Sequence, residues 1–556
     1  MSAASVAVRR LRVAPSAIAE TLTAVRPLPV LAVLVALQLA QAAWFGLETP
    51  HNGWIWYSGG DATEYWTETW AIAHGIVPQA MIGYGLPVFY GWVPLVAGPT
   101  LMTGAAVIVV FQAVVLVPLA LILFWLVADR LFGRVYAWFA AALWVAGPLL
   151  LLHGFVDRYH STFDQLFLAP HWFGLTNMAD LPSLVAVLAC AWMTLRWFDT
   201  GSPTDAVVGG LLGGLTIALK PSNGFFFLAL AVLVIGARRP RQAALFAAGV
   251  VPALVALALW KVRGLGFLPL TASSYQKVHV AAGTSTPLAF TTSKYLQFDW
   301  HHLQLELRDL REVFWSLRFL EFLMVAGAFG VIRKNALKGL FVVVWFAGYG
   351  ILKGSNMKSD FTSANWFRLA EPGLPAYILL AVGVAFCLPG LGRRVRRAAA
   401  VVTPQRIDRR RLAIAGVLLG AVPLAVVGLA QPASSMRLAR DNRVVNEAPL
   451  TRAFHLRATV TGRSVQLSWN RPGTGSTKPL YQVYVSTDGD GCQRPSRGSI
   501  ECLLQATPVE LTSGTTYDAT LGHGPRWYRV GIRAAYRRSL QGGDLMLLSQ
   551  ALRVSG

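Results

Sequence analysis

Long apolar runs separated by short polar or basic turns fill the chain from about residue 28 to residue 430, after which short alternating segments take over. The runs lie near 28–47, 103–127, 135–153, 172–195, 205–219, 223–236, 243–260, 313–332, 338–352, 373–390 and 412–430. Crossing about 30 Å of hydrocarbon takes roughly 20 apolar residues in a helix. The pattern therefore predicts a polytopic α-helical membrane protein of about eleven spans. The two short runs at 205–219 and 223–236 are broken by Lys220-Pro221-Ser222-Asn223.

Charge placement orients these spans. Arg9, Arg10, Arg12 and Arg26 precede the first run, which reads as an uncleaved span entering from the basic side. Alternation from a cytoplasmic N-terminus then puts five basic loops on that same side: Arg130/Arg134, Arg196, Arg238–Arg241, Arg333/Lys334/Lys338 and the arginines between 393 and 411. The other, extracytoplasmic side receives loops 48–102, 154–171, 261–312 and 353–372, the Lys220 break and the C-terminal tail. The expected location is the plasma membrane.

Composition agrees with this reading. The 556 residues are 54% hydrophobic and 14% charged, with a mean hydropathy of +0.49. That is too little charge to clothe a soluble protein of this length. The net charge of +22 would suit nucleic acid. Its concentration at the ends of apolar runs assigns it instead to topology and anionic lipid, so membrane lipids are expected partners and nucleic acid is not. Cys190 and Cys387 fall in apolar runs, as packing residues. Cys492 and Cys502 lie ten positions apart in the polar tail, where an oxidising compartment would permit a disulfide.

Outside the spans, ATEYWTETWAIAHG has the spacing of an interfacial helix ending at Gly75. The segment GYGLPVFYGWVPLVAGP, with Pro87, Pro94 and Pro99, cannot form one straight helix and is expected to pack on the bundle or line a cavity. In the tail, HLRATVTGRSVQLSW, YQVYVSTDG, PVELTSGTTYDAT and RWYRVGIRAAY alternate in the manner of strands. Val465, Leu467 and Trp469 would then face a sandwich core. VQLSWNRP and YRVGIRA resemble a fibronectin type III domain, a likeness covering about 455–555. Three parts follow: a membrane domain over 1–430, a linker over 431–454, and an extracytoplasmic β-sandwich over 455–556.

Candidate chemistry starts at WYSGGDATEYW, where Asp61 and Glu64 follow the first span on the external side. Gly59-Gly60 permits close backbone approach, and Asp61 suits the first turn of a helix. An acid in the first external loop, many spans and external interfacial helices together resemble the GT-C superfamily of membrane glycosyltransferases, over roughly 20–430. The resemblance implies transfer of a sugar from a polyprenyl-phosphate donor to an envelope glycan, lipid or protein acceptor. It makes Asp61 the catalytic or acceptor-positioning acid. Arg368, in NWFRLAEPGLP, becomes the candidate clamp for the donor phosphate. Asp157, in GFVDRYHSTFDQLFLAPH, matches a second-loop acid, with His160 beside it for proton transfer or loop hydrogen bonding.

Lys220, at the external end of the paired short runs, is a further phosphate contact or a snorkelling lysine. Glu64 either touches substrate or supports the interfacial helix, and Lys358 lies near Arg368. Asp180 is placed inside the 172–195 run, where an acid is costly in lipid. It reads as a pairing residue at a polar cavity or as part of an ion path. Asp157, His160 and Asp164 resemble a ligand set, but their spacing is not a specific metal signature, and the first loop has no strict Asp-x-Asp. A divalent cation at the phosphate is compatible with the resemblance but is not required by it. The competing readings are a secondary transporter of a polar solute or lipid-linked saccharide, and an oligosaccharide polymerase or ligase.

Overall fold

A computed structural model describes residues 26–48, 60–78, 80, 82–97, 101–154, 169–268, 300–301, 303–305, 318–353, 371–387, 409–432, 455–471, 480–486, 507–522, 524–533, 545–549 and 552–555. Each expected apolar run overlaps a helix among the described residues. These are α1 (Pro27–Glu48), α5 (Leu101–Phe111 continuing through a π turn to Val117–Phe132), α6 (Arg134–Gly154), α8 (Asp180–Thr200), α9 (Pro203–Leu219), α10 (Phe226–Gly236), α11 (Pro240–Leu265), α12 (Arg318–Lys334), α13 (Ala336–Ala347), α14 (Leu374–Gly383) and α15 (Arg409–Gly416 continuing through a π turn to Val422–Leu429). Between them come α2 (Gly60–Ala73), α3 (Gly85–Tyr90), α4 (Val93–Ala97) and α7 (Ala169–Trp172). Among the described residues, five helices are long and apolar enough to cross a membrane, and four more are apolar but shorter.

Apolar side chains also face outward. Val251, Leu254 and Val255 on α11, and Val417, Leu418 and Leu429 on α15, are exposed. Such faces suit lipid contact, because hydrocarbon solvates them as well as a protein core does. Without a hydrophobic drive between helices in lipid, association relies on close packing of small residues. A Cβ at Gly210 of α9 would stand 2.0 Å from the Phe246 carbonyl oxygen of α11, and one at Gly327 of α12 would stand 1.7 Å from that of Leu380 in α14. These backbones touch only because both residues are glycine.

Four of the basic loops, those of Arg130, Arg196, Arg239 and Lys338, meet at one end of the bundle, and the loop between 393 and 408 lies outside the described residues. Asp199 accepts from Arg130 at 3.2 Å and lies 2.9 Å from the Lys338 ammonium, joining α5, α8 and α13. Arg196 donates to Asp205 at 2.9 Å, and Arg239 donates to the Phe198 carbonyl at 3.2 Å. Asp180 and Asp199 are nineteen positions apart on α8, about 28 Å at 1.5 Å per residue. The two ends of this one helix are thus a hydrocarbon thickness apart.

The expected interfacial helix is present as α2, closed by Gly75 at φ +68. The proline-rich segment forms the two short helices α3 and α4 instead of one. Beyond α2, β1 (Ile76–Val77) pairs in parallel with β2 (Gln431–Pro432), so the start of the expected linker is joined to the segment that follows α2. The tail forms two sheets. One has the order β3 (Arg457–Thr461), β4 (Ser464–Ser468), β7 (Thr516–Thr520). The other has the order β10 (Leu552–Val554), β8 (Arg526–Arg533), β5 (Leu480–Ser486), β6 (Thr507–Thr512), with β9 (Leu545–Leu548) also on β8. Val465, Leu467 and Trp469 from the first share a core with Tyr481, Val483, Tyr528 and Val530 from the second, the alternation that strand geometry requires.

Candidate functional site

The end of α8 opposite the basic network is built around irregular backbone. The helix begins at Asp180, not near residue 172 as its apolar run suggests. Gly174 turns the chain at φ +69, and a bent stretch through Ala179 follows. The Thr176 carbonyl there accepts from the Gln112 amide at 3.0 Å. Gln112 is fully buried and opens the π turn Gln112–Leu116 of α5. Asp180 therefore stands at a helix start rather than in mid-span, where the N-terminal dipole favours its carboxylate.

Asp180 is 1% exposed and Lys220 8% exposed, and the Lys220 ammonium donates to the Asp180 carboxylate. His171 Nδ1 lies 3.8 Å from the other carboxylate oxygen and 3.2 Å from the Thr176 hydroxyl. The pairing expected of Asp180 is present, and Lys220 is an ion-paired buried residue, not a snorkelling one. Its backbone is extended, and Pro221 starts the 3-10 turn Pro221–Phe225 that breaks α9 from α10.

Asn223 fastens that break. Its amide donates to the Ser183 hydroxyl at 2.5 Å and to the Thr216 carbonyl at 2.8 Å, while its carbonyl oxygen accepts from the Tyr349 hydroxyl at 2.9 Å. Tyr349 lies in a second π turn, Gly348–Lys353, which extends α13. The Trp345 indole donates to the Pro372 carbonyl at 2.8 Å, holding the 3-10 turn Glu371–Gly373 against the same place. Glu371 is buried there. Helices α5, α8, α9, α10, α13 and α14 thus meet around one polar cluster, and each approaches it through a distorted turn or an end.

Helix α2 packs on the cluster's flank. Tyr65, Trp66 and Trp70 share a core with Met178, Ala179 and Leu219, the immediate neighbours of Asp180 and Lys220. The segment after α2 is held on its other side by the last turns of α11. Lys261 donates to the carbonyls of Ala80 at 2.6 Å and Ile82 at 3.0 Å, and the Trp260 indole donates to Ile82 at 3.0 Å. Glu68 of α2, also buried, acts electrostatically on the Lys261 ammonium. Burial pushes the Tyr84 and Tyr90 hydroxyls well above their usual range, so both stay neutral.

Of the residues marked by sequence, Asp61 and Glu64 lie in the first turns of α2, with their side chains outside the described residues. Asp157, His160, Lys358 and Arg368 lie outside the described residues altogether, as do Cys492 and Cys502. Lys220 alone of that set has a described environment. Arg368 is three positions before the anchored Glu371 in the sequence. Among the described residues no group of three or more His, Cys, Asp or Glu could hold a metal ion. Gln112, Asn223 and Tyr349 were not signalled by sequence, since their partners are 64 and 126 positions away. Lys261, placed by its run's end in the loop 261–312, belongs to α11, which continues to Leu265 and is closed by Gly266 at φ +83.

No family model matches the chain, and no curated protein matches it. Among solved structures it is similar to the archaeal oligosaccharyltransferase AglB of Archaeoglobus fulgidus in complex with an inhibitory peptide and a dolichol-phosphate. The likeness has 14% identity and a TM-score of 0.37, and it covers 75% of this chain and 58% of that one. At that level nothing about this chain's reaction or substrates follows from it.

Proposed function

We propose that the chain is a GT-C-type membrane glycosyltransferase that moves a sugar from a polyprenyl-phosphate donor to an envelope glycan, lipid or protein acceptor on the extracytoplasmic face. One observation carries the reading: the helix with Asp61 in its first turn is packed on the residues flanking the buried Asp180–Lys220 pair, at the bundle end away from the basic network. An acid-bearing helix and an anchored cation at one end are the parts a lipid-phosphate transferase needs.

In the proposed reaction the acceptor hydroxyl attacks the anomeric carbon as its bond to the phosphate oxygen breaks. Asp61 accepts the hydroxyl proton or fixes the hydroxyl's orientation, with Asp157 as a second acid on the acceptor side. Arg368 binds the departing phosphate through its guanidinium fork. Lys220 contributes more weakly, since Asp180 offsets its charge. Glu64, His160 and Lys358 are assigned to substrate contact. Proposed with this are eleven spans, a cytoplasmic N-terminus, and a fibronectin type III-like tail outside, which reporter fusions at residues 132, 200, 290, 400 and 500 would test. A reporter at 500 on the same side as 132 would overturn that threading. The transporter alternative keeps the broken short helices, while Asp180, with Lys220 as its partner, needs no ion path to explain it.

The test is Asp61→Asn in purified protein in lipid, assayed directly for glycosylated acceptor with a panel of polyprenyl-phosphate sugars. Turnover should fall on the order of 10²-fold or more, donor binding should persist, and Glu64→Gln should be milder. Full turnover in Asp61→Asn alongside loss in Asp157→Asn would move the catalytic role to the second loop.

A further inference from the structure

Ala80 is a non-glycine residue at φ +51, a left-handed conformation that L side chains rarely adopt. It belongs to the short segment joining α2 to α3, and neighbouring groups converge on it. Its carbonyl and that of Ile82 take both described Lys261 ammonium bonds, and Ile82 also accepts from the Trp260 indole. The approach requires Gly264, where a Cβ would stand 2.4 Å from the Ala80 Cβ and 2.4 Å from the Pro78 carbonyl oxygen. Glu68, on the same helix as Asp61 and two turns further along, lies within electrostatic reach of the same ammonium. Strain of this kind persists only where the surroundings over-determine it, and it concentrates at functional sites.

We infer that Lys261 is a positioning residue: by clamping the carbonyls of the strained Ala80 and of Ile82, and through Glu68, it fixes the orientation of α2, the helix whose first turn carries Asp61. The inference rests on the transferase reading for its catalytic consequence, though not for the clamp itself. A lysine suits the task because one ammonium offers three donors on a long stem. Irregular backbone at the membrane surface needs such donors from side chains, since it forms no helix ladder of its own. Lys261 touches no reacting atom in this arrangement and acts only through α2.

The experiment uses full-length protein in lipid nanodiscs and reads two quantities. Amide hydrogen exchange over 60–84 reports the clamp without any assumption about the reaction. In Lys261→Met, exchange in 60–84 should rise at least tenfold while that in the core of α8 is unchanged. With a polyprenyl-phosphate sugar as donor, kcat should fall at least tenfold while the KM for donor stays within twofold. Lys261→Arg should restore most of the protection, and Ala80→Gly in the Lys261→Met background should recover part of kcat, because glycine holds a positive φ without strain. Gly264→Ala, which forces Ala80 away with the lysine intact, should reproduce the phenotype if Lys261→Met does not fold. Unchanged exchange in 60–84 overturns the clamp, and raised exchange with unchanged kcat overturns the positioning role. If the unmodified protein transfers no sugar, the transferase reading fails while the exchange result still decides the clamp.

Discussion

The two ends of α8 are both charged, yet they are built differently. At the basic end, regular helices finish in short turns and their charges pair side by side. Asp199 bridges Arg130 and Lys338 while about a third of its side chain remains exposed. Both ends also hold a dry pair, Arg196–Asp205 at the basic end and Asp180–Lys220 at the other, but at the other end the backbone around the charges leaves the α-helical path again and again. A π turn carries Gln112, another carries Tyr349, a 3-10 turn carries Asn223 and another carries Glu371. An end that only needs to be held together can use regular helices joined by simple ion pairs. At the other end the departures from regular geometry bring Gln112, Asn223, Tyr349 and Glu371 to one place.

The largest effect should come from breaking the dry Asp180–Lys220 pair. Lys220→Met leaves the Asp180 carboxylate buried without its ammonium, and should cost about 3–5 kcal/mol in unfolding free energy. The double variant Asp180→Asn with Lys220→Met removes both charges and should recover much of that loss. Equal losses in single and double variants would mean that the pair is no more than a pair of space-filling side chains. Next in size is Gly104→Ala, whose new methyl would stand 1.8 Å from the rigid ring of the fully buried Trp66. Overpacking of this kind costs about 1–3 kcal/mol, and since Trp66 belongs to α2 the change should also lower transfer. The smallest effect belongs to the basic end. Asp199→Asn should change stability by less than about 1 kcal/mol, the range of partly solvated ion pairs. A loss there as large as that of Lys220→Met would erase the contrast between the ends.

Much of the helical frame is legible in the apolar runs, because lipid demands continuous apolar surface and the runs have no competing explanation. Boundaries are less legible. Trp172-Phe173-Gly174-Leu175 is apolar enough to extend a span, yet Gly174 turns the chain and delays the helix to Asp180. Likewise the run that ends near residue 260 hides Lys261, since a lysine at the edge of a span reads as the start of a loop. Lys220 was visible because the KPSN sequence interrupts two apolar runs. Its pairing with Asp180 across 40 positions was foreseeable in kind, as a buried acid needs a cation. Asn223 and Gln112 carry no such signal: an amide in an apolar run has many local explanations, and only the tertiary partner separates them. Glu68 and Glu64 look equivalent by sequence, and the helix's packing buries Glu68.

The π turns have a further consequence for how these helices encode their surroundings. A π turn closes its hydrogen bond over one more residue than an α turn, so it holds a surplus residue. Each residue advances an α-helix by about 100°. The stretches on either side of Gln112–Leu116 are therefore out of phase, and the same is true across Val417–Ala421. The pattern of apolar positions along the sequence can in this way shift phase between the two halves while the helix keeps one face toward its neighbours. Deleting a single residue within Gln112–Leu116 would rewind α5 into one uninterrupted helix. The two halves would keep the faces they show to their neighbours, and what would be lost is the widened turn that carries the Gln112 amide to the Thr176 carbonyl.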